Sequence, residues 1–130
     1  MRLLLDTHVF LWYIAADARL PDPFRVAIQD IANEAYLSAA SIWEAVIKSQ
    51  LGRLPLPGTP DLYLRGQRRQ HLIESLPIDE GSVAQLAKLP LIHRDPFDRI
   101  ILAQAVQHNL KILTVDAAIH SYGMQLFPAP

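Results

Sequence analysis

Much of what this chain can become follows from the stretch His93-Arg94-Asp95-Pro96-Phe97-Asp98-Arg99, which runs directly into Ile100-Ile101-Leu102-Ala103-Gln104-Ala105. It sets two carboxylates and two arginines at the mouth of an apolar helix. Proline suits the first helical position, where its missing N–H is no loss. Pro96 therefore predicts the helix start, with Asp95 as N-cap and Asp98 as the third helical residue. Both acids then have an ordinary explanation. Acids at a helix start satisfy orphan N–H groups and complement the macrodipole. A catalytic reading needs further acids to converge on the same place.

The rest of the chain predicts where that place is. Residues 2–5 form a short apolar run ending in Asp6, the pattern of a buried central strand. Thr7 is expected to cap a helix opening at about His8, covered by Val9, Phe10, Trp12, Tyr13 and Ile14 and ending between Ala16 and Leu20. After Pro23, Phe24, Ala27, Ile28 and Ile31 recur at helical spacing. Residues 35–38 read as a second strand, and residues 39–51 as a helix with Ile42, Trp43, Ala45 and Val46 turned inward and Gly52 as its C-cap. Pro55, Pro57, Gly58 and Pro60 mark a loop. A basic helix over 61–71 carries Arg65, Arg68 and Arg69, and a strand falls within 72–78. Residues 79–89 form a helix with Val83, Leu86 and Ala87 as its apolar face. The helix from Pro96 runs to about His108, with Asn109 as a left-handed C-cap. Residues 111–115 are a strand with Asp116 at its carboxyl end, followed by a short helix and a last strand over 124–127.

Strands alternating with helices imply an α/β fold, with a central, mainly parallel sheet of four to five strands between helical layers. A length of 130 residues suits one domain over 1–130, and 51% hydrophobic residues suffice for a real core. The net charge of -1 excludes a general nucleic-acid sponge, so any such role must rest on a local patch. The absence of cysteine removes disulfides, zinc ribbons and thiol catalysis together, and fits a reducing cytoplasm. The first apolar run is too short for a signal peptide, and no stretch reaches the ~20 residues of a membrane span. A soluble cytoplasmic protein without membrane contact is expected.

In an open parallel sheet, ligands bind beyond the carboxyl ends of the strands. Asp6 and Asp116 occupy that position, and Glu44 and Asp98 lie in helices that follow. Each has a local alternative: Asp6 as a helix-start acid, Ser41-Ile42-Trp43-Glu44 as a capping box, and Asp116 as the N-cap of the short helix. Together they describe a set of carboxylates that repel one another unless a cation neutralises them. Oxygen ligands without clustered His or Cys suit Mg²⁺ or Mn²⁺. Phosphoryl transfer is the natural work of such a site. His8, His71, His93, His108 and His120 are scattered and show no metal spacing.

With these residues in view, the chain resembles the PIN-domain ribonucleases, and among them the VapC-type toxins of bacterial toxin–antitoxin pairs. The resemblance rests on Leu3-Leu4-Leu5-Asp6-Thr7-His8, Ser41-Ile42-Trp43-Glu44, the stretch from His93 to Ala105 and Leu113-Thr114-Val115-Asp116. The third is the most specific, and the order and spacing of all four fit. The resemblance implies a PIN-like three-layer α/β/α fold and Mg²⁺- or Mn²⁺-dependent cleavage of RNA. It also implies neutralisation by a cognate antitoxin, which in this family fills an apolar groove with its C-terminal segment. Homodimers are common in the family. Asp6, Glu44 and Asp98 match the family's core acids and Asp116 the more variable fourth. Asp95 is an additional acid, a cap or a neighbour of the site. Water activated by the metal is then expected to attack in line, leaving a 5′-phosphate and a 3′-hydroxyl. Thr7 and Thr114 stand beside the acids as ligand-orienting or merely structural hydroxyls. Arg94 and Arg99 are phosphate-holding candidates, Arg99 equally a partner that orients an Asp, and the one-turn group Arg65, Arg68 and Arg69 is a phosphate-holding face or an ordinary solvated one. A haloacid-dehalogenase-like phosphatase needs a second Asp where His8 stands, and a phospho-receiver needs paired acids at Asp6. The remaining alternative is a non-catalytic RNA-binding or scaffolding PIN module, which is expected to have lost core acids.

Overall fold

A computed structural model describes residues 1–92, 95–123 and 125–127. The element order is β1 (Arg2–Leu5), α1 (Thr7–Ile14), α2 (Asp22–Gln29), β2 (Glu34–Ser38), α3 (Ala39–Gln50), α4 (Pro60–Gln70), β3 (Glu74–Leu76), α5 (Glu80–Leu86), α6 (Pro96–His108), β4 (Lys111–Leu113) and α7 (Ala117–His120). Among the described residues the sheet has four strands in the order β3-β2-β1-β4, all parallel. β1 is central: Leu5 stands opposite Leu37 of β2 and Leu113 of β4. Leu3, Leu4 and Leu5 are fully buried, as a strand covered on both faces requires.

Their alternation divides the core. Leu3 and Leu5 pack with Phe10, Phe24, Leu37 and Leu64 beneath α1, α2 and α4. Leu4 packs with Ile101, Leu102, Leu110, Ile112 and Ile119 beneath α6 and α7. This gives the expected three-layer α/β/α arrangement. Because each strand feeds a helix at its carboxyl end, Asp6, α3 and Asp116 all arise along one edge of the sheet.

α6 starts and stops where its sequence signals lie. Pro96 opens it, Asp95 caps it by accepting from the backbone N–H groups of Phe97 (2.9 Å) and Asp98 (3.4 Å), and Asn109 ends it at φ 54°, ψ 52°. Other expectations are corrected. Asp6, not Thr7, caps α1, and the helix ends at Ile14, with Ala16 in the left-handed region soon after. Ile31 lies beyond α2 and is fully exposed. Trp43 is 58% exposed, because the narrow inward stripe of α3 is already filled by smaller residues such as Ala45. Val83 and Ala87 face outward, and the inner face of α5 and the turn after it is Ser82, Leu86 and Leu89. β4 ends at Leu113, short of the expected Val115, and Thr114 beyond it donates its hydroxyl to Asp6. Of the expected last strand, the described residues form the bridge Ile112–Leu126, and Met124 lies outside the described residues. Among the described residues no helix is long and apolar enough to cross a membrane.

The left-handed C-cap of α6 has a measurable consequence. Asn tolerates this conformation through its short polar side chain, whereas a plain Cβ does not. Asn109→Ala is expected to destabilise the fold by about 1 kcal/mol and Asn109→Gly to be neutral or better. Urea unfolding at equilibrium measures both.

Candidate active site

Asp6 is only 4% exposed. Its backbone N–H continues the ladder to Leu113 O at 3.0 Å, which fixes the residue beyond the last residue of β1. Its carboxylate is used at both oxygens: Oδ1 accepts from the His8 N–H (3.1 Å), and Oδ2 accepts from the Thr114 hydroxyl. Capping α1 and lining the site are therefore one geometry. Burial pushes the Asp6 carboxyl above its ordinary 3.8; the Thr114 and His8 hydrogen bonds and the His8 charge oppose this, while the Glu44 charge adds to it.

Glu44 reaches the same region from α3. The N-cap of α3 is Ser38, whose hydroxyl accepts from the Ala40 N–H at 3.0 Å. Ser41 is thus inside the helix and Glu44 a turn further on, so the capping-box explanation for Glu44 is removed. Glu44 is 6% exposed and engaged at both oxygens. Thr7 donates to Oε1 (2.8 Å) and Lys48 to Oε2 (2.8 Å). Thr7 Oγ also lies 2.9 Å from Ser41 Oγ. Since Thr7 has one hydroxyl proton and a carboxylate can only accept, Ser41 must donate to Thr7.

Thr114 links the two ends of the sheet edge. Its hydroxyl serves Asp6 and accepts from the Asp116 N–H at 3.0 Å, while its carbonyl meets His120 Nε2 at 2.9 Å. Asp116 caps α7 through the Ala118 N–H at 2.8 Å and is partly exposed. Asp98, 9% exposed, stands in the first turn of α6. That turn is docked on α3 by the edge-to-face pair Phe97–Trp43, with ring centroids 4.9 Å apart. A cavity of about 500 Å³ between them is lined by Glu44, Lys48, Arg53, Asp95 and Phe97.

Asp6, Thr7, Glu44, Lys48 and Thr114 are therefore close-knit; Asp116 adjoins them through Thr114, and Asp95 lines the cavity beside Glu44. Among the described residues, no three acids or histidines are drawn together tightly enough to enclose a metal ion unaided. The proposed phosphate-holding arginines divide. Arg68 donates to Ile73 O at 2.8 Å and closes the end of α4, Arg65 pairs with Asp61 at 3.2 Å, and Arg69 is exposed. Arg99 turns away from the acids to the carbonyls of Leu86 (3.2 Å) and Leu89 (3.5 Å), tying α6 to the end of α5. His93 and Arg94 lie outside the described residues. Lys48 was not foreseen from the sequence; its signal was the one-turn spacing from Glu44.

A PIN domain family model matches residues 3–123. The chain belongs to the PIN domain family. Two relatives of this PIN domain come from Mycobacterium tuberculosis. "Ribonuclease VapC22" is 31% identical over 121 residues, spanning 92% of this chain and 91% of that protein. "Ribonuclease VapC16" is 37% identical over 71 residues, spanning 55% of this chain and 49% of that protein. Among solved structures, VapBC2 from Rickettsia felis bound to a promoter DNA fragment superposes with a TM-score of 0.66 at 12% identity, over 97% of this chain and 96% of that one. FitAcB from Neisseria gonorrhoeae gives 0.63 at 23% identity over the same shares. These likenesses establish the PIN fold.

The buried carboxyl of Asp6 makes a prediction about stability. Its folded pKa stands above the unfolded value, so its contribution is fully present below pH 3.8 and is lost as pH rises through the raised folded pKa. Without added metal, Asp6→Asn is expected to melt above the unsubstituted protein at pH 7, with the gap closing toward pH 4. Thermal unfolding across that range in EDTA checks it.

Proposed function

We propose that this PIN domain is a Mg²⁺- or Mn²⁺-dependent endoribonuclease acting as the toxin of a type II toxin–antitoxin system. The observation that carries the reading is the pair of buried carboxylates, Asp6 and Glu44, each held at both oxygens beyond the central strand. The similarity to a protein named a ribonuclease, over 92% of this chain and 91% of that one, supports the substrate class.

The donor set fits a divalent ion. All four acids offer oxygen, the choice of hard cations. Burial raises Asp6, so its charged form lacks compensation that a cation would provide. A Mg²⁺ or Mn²⁺ ion held by Asp6, Glu44, Asp98 and Asp116 would acidify a water and stabilise the charge that develops on the scissile phosphate. The protein's own part is positional. Thr114 and the His8 N–H set the plane of the Asp6 carboxylate, and Thr7, backed by Ser41, sets that of Glu44. Asp95 holds the first turn of α6 rigid and so fixes Asp98. Hydrolysis leaves a 5′-phosphate and a 3′-hydroxyl. Arg53, which lines the cavity beside Glu44, is a cation available to RNA phosphate.

Two solved relatives in fold are titled as VapBC assemblies, and two as FitAB-type assemblies, which supports a cognate antitoxin as partner of this chain. A homodimer in the cytoplasm completes the proposal. A non-catalytic scaffold has no use for two desolvated carboxylates, whose burial weighs on stability.

Antitoxin-free protein incubated with a structured RNA mixture is expected to cleave with Mg²⁺ or Mn²⁺ and to stop in EDTA. Folded Asp98→Asn and Glu44→Gln proteins should each lose at least about a hundredfold in rate, because even neighbours of metal ligands are commonly worth 10–100-fold. Undiminished cleavage by Asp98→Asn would refute the site. End-group analysis of the products checks the 5′-phosphate.

A further inference from the structure

We infer that Lys48 is a positioning residue: it is the resident counter-cation of Glu44, holding in the metal-free protein the place that a divalent ion takes, and giving it up when the ion binds. The inference rests on the metal-dependent reading above and assigns a role to a residue outside the four acids.

Geometry carries it. Glu44 projects two oxygens into the site, and Thr7 occupies one of them. The other, Oε2, is held by Lys48 Nζ at 2.8 Å. The pair joins a nearly buried acid to a partly open base, with 8% of the Glu44 side chain exposed and 33% of that of Lys48. By contrast, both partners of Arg65–Asp61 are open to water. The ammonium is the compensating charge for this buried carboxylate, and losing it leaves an uncompensated charge. Asp6 aggravates the need, since its charge faces Glu44 across the site.

A divalent ion drawn to the same oxygen competes with the ammonium for its lone pairs and repels it. Displacement is sterically easy. The lysine stem is flexible and carries a point charge rather than a rigid fork. Lys48 also lines two cavities, of about 500 and 550 Å³, one on each side of α3's last turns. A freed ammonium therefore has open space without unfolding anything. The pairing with Lys48 accounts for how Glu44 persists, buried, in the folded protein before any metal arrives.

The test is Mn²⁺ titration by calorimetry, with thermal unfolding in EDTA, on full-length antitoxin-free protein. Lys48→Met is expected to bind Mn²⁺ about tenfold more tightly, equivalent to ~1.4 kcal/mol of relieved competition. In EDTA it should melt below the unsubstituted protein, and the double variant Lys48→Met, Glu44→Gln should recover that loss. Lys48→Arg keeps the pair and holds it harder, so it should fold normally and bind Mn²⁺ more weakly. Arg53→Met removes a charge from the same cavity wall without touching Oε2, and should change the affinity less than Lys48→Met. Equal or weaker Mn²⁺ binding by Lys48→Met, or an equal gain from Arg53→Met, overturns the inference alone. Folded proteins that bind no Mn²⁺ overturn it together with the metal-dependent reading.

Discussion

The hydrogen bond from Thr114 to Asp6 is the contact on which the rest of the site depends. It crosses from the end of β4 to the end of β1, the two strands that support the carboxyl edge of the sheet. Burying a carboxylate without partners is severely unfavourable. Asp6 is tolerable at 4% exposure only because the Thr114 hydroxyl and the His8 N–H replace water at its two oxygens. The same threonine receives the Asp116 N–H and so positions the next acid. One side chain thereby sets the spacing of two carboxylates that come from opposite ends of the chain.

A second layer of constraint comes from α3. Ser38 rather than Ser41 caps that helix, which places Glu44 over the end of the central strand, beside Thr7. Thr7, itself backed by Ser41, and Lys48 then satisfy its two oxygens. The site is consequently preorganised by hydroxyls and one ammonium, with little freedom left in the carboxylates of Asp6 and Glu44. Preorganised charge is what phosphoryl transfer demands of a protein. It is also what weighs on stability, since two like charges are held in a poorly solvated place. The three apolar residues of β1, buried on both faces, supply the rigidity that makes such an arrangement sustainable.

Local signals proved legible where the physics is local. The buried run before Asp6, the Asp95-Pro96 helix start and the left-handed Asn109 each depend on a few adjacent residues, and each formed as read. The parallel sheet followed from alternation of strands and helices. Legibility failed where neighbouring elements competed. Both Asp6 and Thr7 are good caps, and the cap went to Asp6 because the ladder bond to Leu113 holds it in extended backbone. Periodicity alone put Trp43, Val83 and Ala87 inside. The inward stripe was narrower than their spacing suggested, because small residues such as Ala45 and Ser82 already fill it.

The sequence by itself determined the fold class and the order in which its acids follow strands and helices, because hydrophobic period and capping chemistry are written in short stretches. Only the tertiary structure decided what each polar side chain does. It turned Arg99 toward the carbonyls of α5 and Arg68 toward Ile73, and it gave Lys48 to Glu44. It also separated capping from site-building: Asp95 caps α6, leaving Asp98 to the first turn, whereas Asp6 does both. The physical reason is that a charged side chain takes whichever partner burial leaves within reach, and burial is a property of the packed whole.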